Sequence, residues 1–303
     1  MLIAATRRMR RAAAHFSFPK RRKELWPGHR FFCMFKLFLR LANGLVSLVV
    51  MVCLLTAGAY AGYALWDNNR IYAAAENVQA DMIQLKPEVL VAVGENEAPS
   101  FFELQSINPD VCAWVEMDNT KVDHPVLQGE TNLDYINTDV YGNFSLPGSI
   151  FLDTRCDRTY HSDYMLLYGH NMENGGMFGS LHDYKNKKFF EENRTGTLIV
   201  PDGICQLETF ACLLINSYDD IFEPDMWQDN IDGLLDFAEN KAMYLHEEVI
   251  ADMRAELEMG GRPQVLALTT CSGESDDART VVLTVMSPYW INKEDVTDEK
   301  LPA

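Results

Sequence analysis

The sequence predicts a mainly β protein whose strands close into a barrel, preceded by one helix that spans a membrane. From Val111 onward, short apolar runs alternate with turn residues, which is typical of β-strands. Few helical segments lie between these runs, and this favours a closed or nearly closed barrel over a doubly wound sheet. The eight predicted strands cover residues 111–116, 122–127, 148–152, 164–168, 197–200, 205–216, 265–270 and 280–286.

Two helical insertions interrupt the predicted strands. The first covers residues 178–192 and the second, a long helix, covers residues 227–258. Apolar residues recur in the second at three- and four-residue steps, so one face of that helix should lie over the barrel. The members of this stripe are Ile231, Leu234, Leu235, Ala238, Ala242 and Leu245.

Further helices are predicted before the barrel. Residues 67–86 have an amphipathic helical pattern, and residues 93–99 form a polar connector. Ser100 and Glu103 have the spacing of a capping box, which predicts a short helix that ends near Asn108.

A long uncharged segment predicts the membrane helix. Residues 41–66 contain no charged side chain, and at about 1.5 Å per residue such a helix crosses a hydrocarbon layer of about 30 Å. Tyr60, Tyr63 and Trp66 lie at its far end, where amphipathic rings favour the membrane interface. The alternative is a cleaved signal peptide with a small-residue site at Ala57–Ala59, but the apolar core of a signal has only about 7–15 residues.

The distribution of charge gives this helix an orientation. Residues 1–40 hold eleven Lys or Arg and one acid, for a net charge of +10, whereas the rest of the chain has a net charge of −28. Because basic flanks remain on the cytoplasmic side, we expect a single-pass protein with a cytoplasmic N-terminus and an extracellular body. The acidic body excludes nucleic acid as the main partner, since phosphate binding needs a basic face.

These features predict four regions. A basic cytoplasmic tail covers residues 1–40 and the transmembrane helix residues 41–66. A helical stalk and connector follow at residues 67–99, and the barrel domain covers residues 100–303.

Seven cysteines leave an odd number outside the membrane segment. Cys33 and Cys53 lie in or beside that segment, so five cysteines belong to the exported part, and at least one of these is free or bridges to another chain. Cys205 and Cys212 should face opposite sides of one strand and not bond to each other. Most of the five are expected to be small buried residues.

Three residues at predicted strand ends have side chains suited to acyl transfer. Cys271 ends the apolar run that begins at Val265, Arg279 opens the following strand, and His170 ends the run from Tyr164. A thiolate can attack a peptide carbonyl, an imidazole can protonate the leaving amine, and a guanidinium can offset the charge of the oxyanion.

Residue types alone do not establish that these three residues are catalytic. A cysteine at the end of an apolar strand is commonly a packed core residue, and other histidines are equally eligible by type. Arg279 could simply pair with an acid of its own turn, an interaction worth little at a surface. The competing histidines are His124, His161, His182 and His246, and the acids of the turn are Glu274, Asp276 and Asp277.

Several segments resemble the class B sortases, in the order and spacing of that family. Leu268 to Cys271 matches the sortase L-x-T-C signature, and Arg279 stands where the family places its arginine. The segment YGHN at 168–171, followed by MFGSL at 177–181, is similar to the histidine segment of class B. Further similarity lies at 108–110, 113–115, 122–126 and 148–153, so the resemblance covers roughly residues 101–288.

The resemblance implies an eight-stranded sortase-type barrel with N-terminal helices and a long inserted helix. It implies a membrane-anchored cysteine transpeptidase that cleaves a C-terminal sorting signal of the LPXTG or NPXTX kind on surface proteins. The acyl group would be held on Cys271 and passed to an amine of a peptidoglycan precursor or of a pilin. His170 and Arg279 complete the implied catalytic residues, and no metal or other cofactor is implied.

The resemblance also implies supporting residues around the nucleophile. Thr270, Asn171 and Ser272 are expected to help substrate binding or the oxyanion site. Ser272 is a departure, since many relatives have an acid there, and this weakens any scheme in which an aspartate directly after the nucleophile orients the histidine.

Two alternative functions remain open at this point. One is a membrane-tethered cysteine peptidase that only hydrolyses its substrate. The other is a non-catalytic surface binding module on a sortase barrel, although the retention of Cys271, His170 and Arg279 together argues against it.

Overall fold

The computed structural model describes the backbone of residues 27–87, 100–271 and 278–289, and the side chains of residues 31–87, 100–270 and 278–287. The chain divides into two compact units, Met1–Leu65 and Trp66–Ala303, and the second contains the barrel. Most of the basic tail, the connector at 93–99 and the turn at 272–277 lie outside the described residues.

Among the described residues, nine strands form one sheet that closes on itself. The order is β5-β1-β2-β3-β4-β8-β9-β6-β7, and an additional pairing of β5 with β6 closes the barrel. Two neighbouring pairs, β2–β3 and β4–β8, are parallel, and the other pairings are antiparallel. All eight predicted strands are confirmed, and the strand bounds are Val111–Met117 (β1), Asp123–Leu127 (β2), Ile150–Leu152 (β3), Tyr164–His170 (β4), Thr195–Val200 (β5), Gly203–Asn216 (β6), Ala242–Leu245 (β7), Gln264–Cys271 (β8) and Ala278–Tyr289 (β9).

Strands β4, β8 and β9 carry the core of the barrel. Their central residues are apolar on consecutive positions and fully buried, as expected for strands covered on both faces. Burial of each large aliphatic side chain contributes about 1.5–3 kcal/mol, so these strands are held firmly in register. The fully buried apolar residues are Met165, Leu166 and Leu167 on β4, Val265, Leu266, Ala267 and Leu268 on β8, and Val281, Val282 and Leu283 on β9.

The helices begin with α1, which runs without a break from Pro27 to Ile83. The later helices are α2 (Phe102–Ile107), a 3₁₀ helix (Gly179–Lys185), α3 (Lys187–Glu192), a 3₁₀ turn (Asp220–Phe222), α4 (Pro224–Trp227), α5 (Ile231–Lys241) and α6 (Glu247–Glu258). The first predicted insertion is therefore present, but Asn186 divides it by accepting hydrogen bonds from the backbone amides of Lys188 and Phe189.

The second insertion is not one long helix. Helix α5 ends at Lys241, β7 follows, and α6 begins at Glu247, so the prediction that Ala242 and Leu245 belong to one helical stripe is wrong. Strand β6 has 14 residues, and β5 pairs only with its first part. Strand β7 pairs with β6 further along, where Cys212 stands opposite Tyr244, and so satisfies backbone groups that an unpaired edge would leave exposed.

The predicted capping box before the barrel is not formed. Phe101 occupies the N-cap position of α2, and no side chain caps the helix. The short helix itself is present and ends at Ile107, close to the predicted end.

The C-terminal part of α1 packs on the barrel domain. Met82 is buried in a cluster with Phe101, Leu104 and Trp114. Just after the helix, the Lys86 ammonium lies 2.8 Å from Asp123, whose carboxylate also accepts a 2.6 Å hydrogen bond from the Trp114 indole. The predicted amphipathic segment is thus a continuation of the membrane-type helix and not a separate element.

The apolar part of α1 is long enough to cross a membrane. From Phe31 to Ile83 the helix has 53 residues, and its most apolar stretch has no residue buried within the structure. Large apolar side chains such as Leu54, Leu55 and Leu65 are accordingly exposed. Length and composition are weakly consistent with a membrane anchor, and orientation remains a prediction.

Candidate functional site

The site lies where the parallel strands β4 and β8 end. Their register pairs Tyr168 with Thr269, Gly169 with Thr270 and His170 with Cys271. Because parallel strands run in the same direction, their C-terminal ends meet at one edge of the sheet. The fold therefore places His170 and Cys271 side by side, although they are far apart in the chain.

Strand β9 approaches the same edge from the other side of β8. Thr269 pairs with Val281, and the backbone amide of Thr280 donates a 3.2 Å hydrogen bond to the Thr270 hydroxyl. Continuing this antiparallel register by two residues brings Arg279 opposite Cys271. The Arg279 side chain is half-buried, and its Nη1 donates to the carbonyl of Ala278 at 3.2 Å.

Parts of the predicted site lie outside the described residues. These are the thiol of Cys271, the whole of Ser272 and the acids considered as partners of Arg279, namely Glu274, Asp276 and Asp277. The Thr270 side chain is buried, and its hydroxyl accepts a hydrogen bond from β9.

The surroundings of His170 favour the neutral form of its imidazole. Burial lowers the pKa of its ring below the usual value, and a hydrogen bond to the Ile136 backbone offsets part of that effect. Its Nε2 is buried and has no hydrogen-bond partner in the part of the chain that the structure describes. The hydrogen bond to the Ile136 backbone is therefore made by Nδ1. A backbone carbonyl thus orients the ring, which is a role that a carboxylate has in other cysteine and serine enzymes.

The residue before His170 has to be a glycine. A Cβ on Gly169 would lie 2.4 Å from the Cδ1 of Ile150 and 2.6 Å from the Cγ of Phe178, and both distances are too short for real contacts. Phe178 is fully buried, so it cannot move aside freely. Close packing of Ile150 and Phe178 against Gly169 therefore fixes the position of the backbone from which the His170 side chain projects.

A cleft of about 330 Å³ opens beside His170. One wall comes from the first turns of α1 within the barrel unit, and another from the loop that precedes β3. The segment that follows His170 completes the lining. The lining residues are Asn68, Ile71, Tyr72, Leu146, Pro147, His170, Asn171, Met172 and Glu173. Of the expected supporting residues, Asn171 is thus placed at the site.

The competing histidines are accounted for by structure. His124 is buried, and burial lowers its pKa to about 4. His246 is buried and stacks on Phe190 with ring centroids 4.2 Å apart. His161 is exposed and contacts Thr159. The Nδ1 of His182 lies 2.8 Å from the Thr280 hydroxyl, so this ring is engaged at the start of β9.

The competing cysteines are poor nucleophiles. Burial raises the pKa of Cys112 and Cys205 to about 11 and that of Cys156 and Cys212 to about 12, and all four are free thiols. Since the thiolate is the reactive form, none of the four is suited to attack a carbonyl at neutral pH. The prediction that these are buried core residues is confirmed.

No metal site is found among the residues that the structure describes, because no group of three or more His, Cys, Asp or Glu side chains converges there.

The sequence did not indicate Ile136 or the residues of α1 at the site. Ile136 lies in the loop before β3, and Asn68, Ile71 and Tyr72 are brought to His170 only by packing of distant segments. A signal for Tyr72 was present, since it stands beside the apolar stripe of the amphipathic segment.

A closed barrel that sets a histidine beside a cysteine at the ends of two parallel strands is the arrangement expected of a cysteine transpeptidase. No known family's sequence model matches the chain. Sortase B of Staphylococcus aureus is 27% identical to it over 198 residues, which are 65% of this chain and 78% of that protein.

Solved structures agree with this similarity. The crystal structure of a class B sortase of Streptococcus pyogenes, involved in pilus biogenesis, is 31% identical and superposes with a TM-score of 0.54, covering 62% of this chain and 98% of that chain. A Staphylococcus aureus sortase B–substrate complex is 26% identical with a TM-score of 0.55, covering 62% of this chain and 85% of that chain. The chain belongs to the class B sortases.

Proposed function

We propose that this chain is a membrane-anchored sortase that cleaves a C-terminal sorting signal through a thioacyl-enzyme on Cys271 and transfers the acyl group to an amine. The observation that carries the proposal is the register of β4 and β8, in which His170 and Cys271 are paired residues. Nucleophile and proton partner then lie on two of the most firmly packed strands of the barrel.

The three residues have separate tasks in this scheme. His170 takes the proton of the Cys271 thiol, and the thiolate attacks the carbonyl carbon of the signal's Thr. The C–N bond then breaks as the protonated His170 gives that proton to the leaving amine. Arg279 lies across β8 from His170 and would stabilise the oxyanion or hold the substrate backbone. Thr270, through its backbone or hydroxyl, and Ser272 would support the oxyanion or the substrate, and so would Asn171, which lines the cleft.

The proposed substrate class is inferred from the similarity of this chain to class B sortases. A Staphylococcus aureus sortase B is known in complex with its substrate, which supports substrate binding by this fold. The LPXTG- or NPXTX-like form of the signal is proposed from the resemblance of the motifs to the family. The acceptor is proposed to be an amine of a peptidoglycan precursor or of a pilin. The Streptococcus pyogenes relative is involved in pilus biogenesis, and this supports the pilin as one of the two candidates.

Mass spectrometry after reaction with a sorting-signal peptide tests the proposal. The wild-type chain should gain an acyl adduct on Cys271, and Cys271→Ala should gain none. His170→Ala should keep a thiol that alkylates slowly yet fails to turn over peptide. An adduct on Cys112, Cys156, Cys205 or Cys212, or normal turnover by Cys271→Ala, would contradict the assignment.

The membrane anchor is part of the proposal and has its own test. The apolar stretch at 41–66 and the excess of basic residues before it support an extracellular barrel. Protease added to intact cells stripped of their walls should remove the barrel. A protected barrel, or a mature N-terminus near Tyr60, would overturn this topology.

A further inference from the structure

The cleft beside His170 points to a binding site that the proposed reaction needs and the comparisons do not assign. A sortase handles two amines, the one that leaves the sorting signal and the one that attacks the thioacyl-enzyme. By microscopic reversibility, the residue that protonates the leaving amine also takes the proton from the attacking amine. In the proposed function this residue is His170, so both amines come close to it. The space next to His170 is therefore where an incoming amine has to stand.

The walls of the cleft have the chemistry to hold an amine on an organic stem. Ile71, Tyr72, Leu146 and Pro147 supply apolar surface, and the amides of Asn68 and Asn171 supply hydrogen-bonding groups. Glu173 is exposed at the cleft and brings a carboxylate. No Lys, Arg or Asp is among the described residues that line it, so its charge at neutral pH is negative.

We propose that this cleft binds the acceptor amine, with Glu173 attracting its ammonium form and Tyr72 of α1 packing against its stem. The ligand class is a primary amine at the end of a peptide or of a lysine side chain. This proposal rests on the proposed function, and it makes α1 part of the acceptor site as well as the anchor of the chain.

The transfer step then balances as follows. The bound ammonium first releases one proton to water, which leaves the neutral amine. The acceptor nitrogen then attacks the carbonyl carbon of the thioester, a C–N bond forms, and the C–S bond breaks with its electron pair returning to Cys271 as thiolate. The proton lost by the amine goes to the Nε2 of His170. That atom has no hydrogen-bond partner in the described part of the chain, and burial keeps the ring neutral by lowering its pKa.

The cleft also bears on the choice between ligation and hydrolysis. Free amines have a pKa of about 8 for an α-amine and about 10.4 for lysine, so a neutral solution offers mostly ammonium and abundant water. The carboxylate of Glu173 raises the local concentration of the ammonium. The stem of the amine covers the apolar wall of the cleft and so displaces water from it. Loss of either feature should shift the thioacyl-enzyme towards hydrolysis.

The test uses the full chain in detergent micelles with a sorting-signal peptide as donor and two acceptors, glycinamide and N-acetyl-lysine amide. Glu173→Gln should raise the KM for both acceptors about three- to fivefold, as for an exposed ion pair, and 1 M salt should remove most of the difference. Tyr72→Ala should raise the acceptor KM about tenfold, and both variants should raise the ratio of hydrolysed to ligated product.

The chain offers matched controls. Asn69 is the exposed neighbour of Asn68 and does not line the cleft, so Asn69→Ala should retain the wild-type acceptor KM while Asn68→Ala raises it. Glu191→Gln removes an exposed carboxylate elsewhere and should have no effect. Hydroxylamine, an uncharged nucleophile at neutral pH, should be used equally well by wild type and Glu173→Gln.

Each outcome decides one claim. A response of only one acceptor would identify whether the amine comes from a backbone or from a lysine. Equal acceptor KM values in wild type, Glu173→Gln and Tyr72→Ala would overturn the proposal. So would an acylation rate, measured without acceptor, that falls as much as the ligation rate, because the cleft would then serve the sorting signal. Absence of any thioacyl-enzyme in the wild type would instead refute the proposed function itself.

Discussion

Selective alkylation gives a direct measure of how differently the cysteines are placed. The perturbation is iodoacetamide added at pH 7 to the folded full chain. Of the five cysteines that follow α1, four are buried in the barrel, and burial raises their pKa to about 11 or 12. Only the thiolate is alkylated, so the fraction of thiolate sets an upper limit on each rate.

The expected differences are large. An ordinary cysteine with a pKa of about 8.5 is about 3% thiolate at pH 7. A thiol with a pKa of about 11 is about 0.01% thiolate at this pH, and one with a pKa of about 12 about 0.001%. The buried thiols should therefore react at least about 300- to 3000-fold more slowly than an ordinary one, and exclusion of the reagent from the core adds to this.

Peptide mapping by mass spectrometry over time gives the rate at each cysteine. We expect early label on Cys271 and on Cys33, which precedes the apolar segment, whereas detergent should cover Cys53 within residues 41–66. Chain unfolded in guanidinium should label at all seven positions, and this controls for peptide detection. Label on Cys112, Cys156, Cys205 or Cys212 at a rate within tenfold of Cys271 would refute the reasoning.

Three further predictions follow from described contacts. Arg279→Ala should lose at least about 10²-fold in turnover, as expected for the loss of a group that stabilises the oxyanion. Arg279→Lys should remain impaired, because the point charge of an ammonium does not replace the planar set of donors of a guanidinium. Turnover at the parent rate in both variants would show that Arg279 is only a surface residue. Burial lowers the pKa of His124 to about 4, so the native state binds fewer protons than the unfolded state, and unfolding by urea should show stability falling by about 3 kcal/mol as pH drops from 6.5 to 4. His124→Phe should flatten that dependence, and an unchanged slope would assign it to other groups. Gly169→Ala should cost about 1–3 kcal/mol of stability and lower turnover, because its Cβ meets Ile150 and Phe178; Phe178→Leu in the same chain should restore part of both, and additive losses would argue against this contact.

The strands were predictable because their signal is local. Each of the eight is a short apolar run bounded by turn residues, and tertiary packing only extended them by a few residues, as with β4 reaching His170. The inserted helix was misjudged for a non-local reason. Ala242 and Leu245 continue a helical spacing, but the open edge of β6 takes up that segment as a strand.

The site was predictable in its residues but not in its geometry. Resemblance to class B sortases pointed to Cys271, His170 and Arg279, while nothing in their spacing showed that β4 and β8 are parallel neighbours. The nearness of Ile136 and Tyr72 to His170 could not have been predicted, because it depends on how a loop and a helix pack on the barrel.

The parallel pairing of β4 with β8 has a consequence for how the protein is made. The histidine strand is synthesised well before the cysteine strand, and β5, β6 and the inserted helices come between them in the chain. Pairings between distant segments carry a high entropic cost and form slowly during folding. We therefore expect a nascent or truncated chain that ends before β8 to contain His170 and the buried thiols but no reactive centre. Removal of the chain from β8 onward should therefore abolish activity, since it takes away the strand that carries Cys271.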